Sequence, residues 1–452
     1  MSRQMVRMNE LIDEITMGPF GSDITVDNFI DDGVPVLNGC NVSGIKLIEE
    51  SFKYVSEEKA IALKKANTKR GDIVITHRGT LGQISYIPND SKYDNYIISQ
   101  SQFRVTLKKE KIDPIYFTYY FHTSEGQKRL LSFKNHVGVP ALAQATTNFR
   151  LLEFPVKPLP EQKAIAKVLS DLDAKIELNN KINAELEAMA KLIYDYWFVQ
   201  FEFPANLQDP TLSGAEGYKS SGGKMVYNEE LKREIPEGWE VKQIKEELEV
   251  QYGFPFSTKL FNEEGSGYPV VRIRDILNNT ISIYSIEKAE NKYQLEKGDL
   301  LIGMDGNFHM NFWDKNDCYL NQRCVRIRKN INSRVSLFQA LFSSKPYIQA
   351  REKNVSRTTV GHLSAKDIDS LYVLVPNSSL LVTKSKVFDN LLDKLITNRN
   401  QNQQLASLRD WLLPMLMNGQ VTVKEAEKKV EKLYNQAENH SMAAEPKVYY
   451  GK

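Results

Sequence analysis

Cysteine is scarce in this sequence, with only Cys40, Cys318 and Cys324 in 452 residues. Three thiols cannot build a disulfide framework, and their spacing fits no four-ligand zinc pattern, so reduced structural thiols are expected. No run approaches the roughly 18 consecutive apolar residues that span a bilayer. The opening MSRQMVRMNE also lacks the apolar core of a signal peptide. A cytoplasmic protein without a membrane partner is the expectation. Catalytic signatures are missing too. No (Asp/Asn)-Pro-Pro-(Tyr/Phe/Trp) tetrapeptide, glycine-rich cofactor loop or Pro-Asp…Glu/Asp-x-Lys nuclease core is present. Lys224 follows Gly222-Gly223, but a phosphate-binding loop needs glycine at Tyr218 and Ser or Thr at Met225. Val270 stands where a dinucleotide fingerprint beginning at Gly265 and Gly267 needs its third glycine. The six histidines show no metal-ligand spacing. The chain is expected to catalyse nothing and to hold no cofactor or metal of its own.

Charge of one sign is lacking overall, since 59 Lys+Arg face 57 Asp+Glu. Its distribution is uneven. Residues 1–58 carry 4 basic and 11 acidic side chains, whereas 59–157 carry 16 and 7. Residues 315–366 carry 11 and 2, inside a segment, 236–377, that sums to about neutral. Two basic segments in similar places of two halves suit a polyanion, and each alone would suit a solvated surface equally well.

The halves repeat at a spacing near 220–235 residues. Gly18-Pro19-Phe20-Gly21-Ser22 returns as Gly253-Phe254-Pro255-Phe256-Ser257. Lys69-Arg70-Gly71-Asp72-Ile73-Val74-Ile75 returns as Glu296-Lys297-Gly298-Asp299-Leu300-Leu301-Ile302, and Gln100 and Arg104 as Gln322 and Arg326. Each Gly-Asp pair opens a short apolar run, which predicts a turn followed by a strand.

Between and after these β-rich halves lie segments of another kind. Residues 161–198 contain no glycine or proline, and their apolar positions alternate by four and three through Leu172, Ile176 and Leu186, with Asn179 and Asn183 in mid-seam. That is a coiled-coil seam. A second seam 219 residues on runs through Leu391, Leu395, Asn398, Asn402 and Leu405, and the asparagine pair returns in register. Two matched seams in one chain predict antiparallel pairing with the asparagines facing each other to fix register. Thirty-eight helical residues make a rod of about 57 Å holding two globular domains apart. The predicted fold class is α+β with an internal pseudo-twofold repeat. Its predicted segments are a domain over 1–157, a helix over 158–200, a linker loop over 201–235, a domain over 236–377, a helix over 378–423 and a frayed or disordered polar tail over 424–452.

The order of Leu159-Pro160-Glu161-Gln162, Lys219-Ser220-Ser221-Gly222-Gly223-Lys224-Met225, Ile235-Pro236-Glu237-Gly238-Trp239 and Leu412-Leu413-Pro414 carries a resemblance. Over residues 1 to about 423 the chain resembles the specificity subunit of type I restriction–modification enzymes. The second helix departs from the first in opening on Pro376-Asn377-Ser378-Ser379, without Glu-Gln. The resemblance implies two target-recognition domains, each reading half of a bipartite asymmetric site in double-stranded DNA. It also implies that the helices dock methyltransferase subunits and, through them, restriction and translocation subunits. S-adenosylmethionine, ATP and Mg would then belong to those partners.

Reading DNA needs donors and acceptors for base edges and cations for phosphates. His77 and Arg78 lie in the loop after the strand ending at Ile75, where Arg78 is expected to read a base or grip a phosphate. Gln100, Gln102 and Arg104 share one face of a predicted strand, either a base-reading row or a solvated face. The matching residues of the second half are Asp305 and Asn307 in the loop, and Gln322, Arg323 and Arg326 on the strand. A carboxylate accepts from cytosine whereas arginine donates to guanine, so the half-sites are expected to differ. Lys134, Arg272, Arg274, Arg351, Lys353 and Arg357 are expected phosphate contacts. The rival expectation is a coiled-coil scaffold or adaptor that reads no DNA sequence.

Overall fold

The architecture is that of a computed structural model, which describes residues 4–135, 140–204, 218–220, 224–306, 308–329, 334–353, 361–376 and 386–444. In the first domain the apolar run Ile73–Thr76 is fully buried, as its unbroken hydrophobic character demands. It lies in an antiparallel sheet ordered Ile12–Met17, Gln102–Leu107, Ile73–Thr76, Ile84–Tyr86. A second sheet is ordered Lys53–Val55, Val34–Val36, Asn95–Ile97, Asn67–Lys69, and its Val36↔Ile97 pair is parallel. Strands Gln4–Arg7 and Glu153–Val156 pair to bring the two ends of the domain together. The helix Pro114–Phe121 starts where Asp113 accepts from the amides of Ile115 and Tyr116, with proline at its first turn. Its Phe117 and Phe121 pack among Phe149 and Phe154.

The second domain repeats this plan, with five strands in place of four in its companion sheet. Leu248–Tyr252, Cys324–Lys329, Leu300–Gly303 and Met310–Phe312 form the equivalent antiparallel sheet. Its companion sheet again contains one parallel pair, Val270↔Tyr319, and Glu240–Gln243 with Tyr372–Val375 closes the domain. The repeated glycines have a steric cause. A Cβ on Gly18 would stand 2.0 Å from the Ser99 carbonyl oxygen, and one on Gly253 would stand 1.9 Å from that of Asn321. The repeated aspartates cap their own turns, Asp72 accepting from the Lys69 amide at 3.0 Å and Asp299 from the Glu296 amide at 2.7 Å.

Helix α1 spans Leu159–Tyr194 and continues as a π turn over Asp195–Val199; helix α2 spans Lys386–Asn418. The chain divides into two compact units, Met1–Lys175 with Gln404–Lys452 and Ile176–Gln403, each holding part of both helices. In the second unit Asn179 Nδ2 donates to Asn402 Oδ1 at 2.8 Å, and Asn398 Nδ2 donates to Asn183 Oδ1 at 2.9 Å. Numbers rising on one helix as they fall on the other establish the antiparallel seam. Leu391 and Leu395 are buried in this unit, Ile176 and Leu186 half-buried, and Leu405 is buried in the first unit. Arg399 adds a bond to Glu187 at 3.1 Å and one to the Phe312 carbonyl at 3.0 Å. In the first unit Leu172 is buried, and Asp173 accepts from Arg409 at 2.6 Å and from the Tyr119 hydroxyl.

The Pro-Glu-Gln entry has a structural use. Gln162, fully buried, accepts from the Asp113 amide at 2.8 Å and donates to the carbonyls of Lys111 at 3.1 Å and Lys157 at 2.8 Å, tying α1 to its domain. Residues 377–385, where the second helix departs from this motif, lie outside the described residues.

Two expectations are corrected. The predicted loop 201–235 contains strand Glu202–Pro204 paired with Tyr218–Ser220 and a hairpin of Met225–Asn228 with Arg233–Pro236. Arg233 lies 5.0 Å from the Phe201 ring centroid, and Ile235 is buried, so apolar anchors hold the returning chain. The predicted frayed or disordered tail over 424–452 is helical across Val423–Ala444, here α3. Thr422 and Glu425 cap it reciprocally, at 2.8 Å and 3.3 Å. Ala426 is fully buried, Val430 and Leu433 half-buried, a four–three stripe shorter than the seams but sufficient to seat a capped helix.

Candidate nucleic-acid interface

The loop after Ile73–Thr76 is built into a small three-stranded edge. The His77 amide donates to the Ser101 carbonyl at 2.9 Å, the Leu142 amide to the His77 carbonyl at 2.9 Å, and the Gly79 amide to the Pro140 carbonyl at 3.1 Å. Arg78 bridges Ala141, and strand Ala141–Leu142 pairs on its other side with Lys134–Asn135. Arg78 and Lys134 are both exposed, and neither has an ion-pair partner among the described residues. The His77 ring lies 3.2 Å from the Gln100 carbonyl oxygen, and burial lowers its pKa, leaving a neutral ring at pH 7. Gln100 is exposed in the turn beside Gly21. The sequence placed His77 and Arg78 in this loop but Gln100 on a strand face; the structure puts Gln100 in a turn and brings it and Lys134 to the same edge.

The second domain rebuilds the same edge with other side chains. The Met304 amide donates to the Arg323 carbonyl at 2.8 Å, the Leu363 amide to the Met304 carbonyl at 2.8 Å, and the Gly306 amide to the Gly361 carbonyl at 3.0 Å. Asp305 bridges His362, as Arg78 bridges Ala141. The Arg323 guanidinium donates from Nε to Asp305 at 2.6 Å and again from Nη2, while His362 Nδ1 lies 2.7 Å from the same carboxylate. These bonds, Arg323 foremost, hold the Asp305 carboxyl below the usual range. The first domain's cation thus stands on the loop. The second has a carboxylate there and draws its cation from the adjoining turn, with Arg323 in left-handed backbone at φ 65°. Gln322 and Arg274 are exposed, and their side chains have no hydrogen-bond partners among the described residues.

Four of the expected contacts are turned inward. Gln102 is fully buried, accepting from the Ser99 amide at 3.0 Å and donating to the Asn38 carbonyl at 3.1 Å. Arg104 is buried against Glu14 at 2.7 Å and Thr106 at 3.1 Å. Arg326 occupies the repeat position, bonding Glu249 and the carbonyls of Lys292 at 3.1 Å and Gln294 at 2.8 Å. The predicted polar row is an internal brace. Gln102–Leu107 is a central strand with Phe103 and Val105 buried as well as Gln102 and Arg104, so neither face is solvated. Arg272 is likewise engaged, bonding Asp275 at 3.4 Å and Ser282 at 2.6 Å. Arg351 and Lys353 lie in the last turn of helix Val335–Lys353, while Asn307 and Arg357 lie outside the described residues.

The sequence reading missed Ala141 and His362, which complete the two edges. Val137-Gly138-Val139-Pro140-Ala141-Leu142 and Val360-Gly361-His362-Leu363 are a further pair at the repeat spacing that would have found them. Among the described residues no cluster of His, Cys, Asp or Glu is arranged to hold a metal ion. Among them, too, no helix is long and apolar enough to cross a membrane.

Two copies of one β frame, each presenting a differently charged edge, define a duplicated recognition protein. The family model of the type I restriction modification DNA specificity domain matches residues 34–188 and again 236–407, and the chain belongs to that family. The MjaIX specificity subunit of Methanocaldococcus jannaschii is 25% identical over 368 residues, 79% of each chain. The HindI specificity subunit of Haemophilus influenzae is 22% identical over 435 residues, 84% of this chain and 91% of that one. The S subunit of a type I restriction-modification system from M. genitalium shares the fold, at TM-score 0.54 and 16% identity, over 92% of this chain and 96% of the other. As a member of the family the chain is a DNA-specificity subunit, a recognition component and not a catalyst.

Proposed function

We propose that each domain reads one half of a bipartite, asymmetric site in double-stranded DNA. The recognition edges are those around Arg78 with Lys134 and around Asp305, Arg323 and His362. Helices α1 and α2 dock methyltransferase subunits, and restriction and translocation subunits join through them in the cytoplasm. S-adenosylmethionine, ATP and Mg belong to those partners. The observation that carries the reading is the repeated edge: the same backbone bonds recur around His77–Gly79 and Met304–Gly306, while the charge on offer is inverted between Arg78 and Asp305. A frame kept constant under side chains that differ is what reading two unlike half-sites requires.

The test is to map N6-methyladenine in DNA from cells holding the methyltransferase partner with this chain, with Arg78→Ala, and without it. Methylation should depend on the chain and follow a two-part sequence. The substitution should relax only one part. An unchanged pattern in its absence would refute the reading.

A further inference from the structure

A second apolar stripe runs along α1. Leu178, Met189 and Leu192 are 49%, 50% and 56% exposed, and each lies one residue before a seam position, about 100° round the helix from it. Glu185 shares the stripe and has no ion-pair partner among the described residues. The repeat spacing that carries Asn179 to Asn398 carries Met189 to Leu408 and Leu192 to Trp411 on α2. There the stripe is partly covered, with Trp411 still 41% exposed. Lys429 of α3 stands 4.8 Å from the Trp411 ring centroid, and Leu408 is half-buried. Ala426 is fully buried on the inner face of α3. Tyr434, two turns further along α3, is half-buried. Before α3 begins, the chain turns at Gly419, where the amides of Gln420 and Val421 both donate to the Met415 carbonyl.

We propose that α3 is an internal occupant of one docking face and that the bare face around Met189 and Leu192 takes a similar helix from a protein partner. That helix is amphipathic, with small and medium apolar residues at four–three spacing and flanking lysines, one of which meets Glu185. The proposal rests on the reading above in taking the partner to be a methyltransferase subunit. The two faces are then unequal. The first subunit docks on a bare stripe, while a second must displace α3.

The probe is a labelled peptide of residues 421–444, titrated by fluorescence anisotropy onto the full chain. One peptide per chain should bind. Leu192→Asp, an exposed position, should weaken it at least tenfold. Ala426→Asp, which detaches α3, should admit a second peptide. No saturable binding, or binding indifferent to Leu192→Asp, would overturn the proposal. Self-association of the full chain abolished by Leu192→Asp would also overturn it, assigning the face to α3 of a second copy. In a parallel titration with the methyltransferase subunit, native mass spectrometry should show a one-partner species for the full chain and less of it for Ala426→Asp. Peptide binding without subunit binding would remove the partner's identity and leave the helix-docking face standing.

Discussion

Replacing Asp305 with alanine removes its two hydrogen bonds to the Arg323 guanidinium and leaves only the 3.2 Å contact of Arg323 Nη2 with His362 Nδ1. The Arg323 side chain is 44% exposed, so the pair contributes about 0–1 kcal/mol to stability. The melting temperature should fall by less than about 3 °C. Recognition should suffer more. An arginine side chain carries about 2 kcal/mol of rotamer freedom, and without Asp305 part of that ordering cost falls on DNA binding. A guanidinium on a base edge contributes about 1–3 kcal/mol of discrimination. Losing its orientation should therefore weaken specific binding by about 1–2 kcal/mol, or about 5–30-fold. The assay compares the intact site with duplexes in which either half is scrambled, using the chain assembled with its methyltransferase partner. Asp305→Ala and Arg323→Ala should each act through the second half-site only. The double variant should lose no more than Arg323→Ala alone. Additive losses, or equal losses on both half-sites, would refute the positioning role. The pH dependence has a definite sign. The folded-state pKa of Asp305 is depressed, so its hold on Arg323 is complete above the ordinary carboxylate range and is lost only as pH falls through the lowered value. With His362 replaced by alanine, discrimination through Arg323 should thus be the same at about pH 8 and about pH 5; loss between them would contradict the arrangement.

In the first domain, Arg78→Ala should cost about 1–3 kcal/mol on the intact site and little once the first half-site is scrambled. Lys134→Ala should weaken all duplexes alike and lower the salt slope by about one unit, as titration in increasing salt would show. Arg326→Met should leave half-site preference intact but lower thermal stability by about 1–3 kcal/mol, because the Lys292 carbonyl loses its donor and the Gln294 carbonyl keeps only that of Arg328. Asn398→Leu leaves the Asn183 amide without its partner across the seam and should destabilise by about 1–3 kcal/mol. Leucine at Asn179, Asn183, Asn398 and Asn402 together should instead raise the melting temperature while loosening register, read out as reduced methylation with the partner.

The helices were legible because a seam is a local, periodic signal, and two seams in register announced their own pairing. The asparagine contacts at positions 179, 183, 398 and 402 follow from that. Helix α3 escaped because its stripe is brief and its strongest buried position is an alanine, which hydrophobic periodicity weighs lightly. The recognition edge was half legible. Arg78 stood out beside a glycine turn, but Ala141 and His362 reach it through long-range strand pairing, whose register a local reading does not contain. Arg104 and Arg326 were misplaced for the same reason. A polar residue at period two marks a solvated face only when one face of the sheet is open, and here both are covered.

On the proposed reading, the domains separate stability from recognition. Arg104 with Glu14 and Arg326 with Glu249 cross-brace the same two strands in each copy. Each brace ties the central strand to its neighbour, and the proposed recognition edge leaves from the strand on its other side. Arg104 and Arg326 are costly to change because their donors are buried. Arg78, Arg323 and His362 are exposed, and substitutions at such surface positions usually stay within about 0.5 kcal/mol. Side chains at the edge can therefore be exchanged, as Arg78 is for Asp305 between the two copies, without loosening the frame that aims them. A chain built this way can change the sequence it reads in one half while keeping the other half and both helices intact.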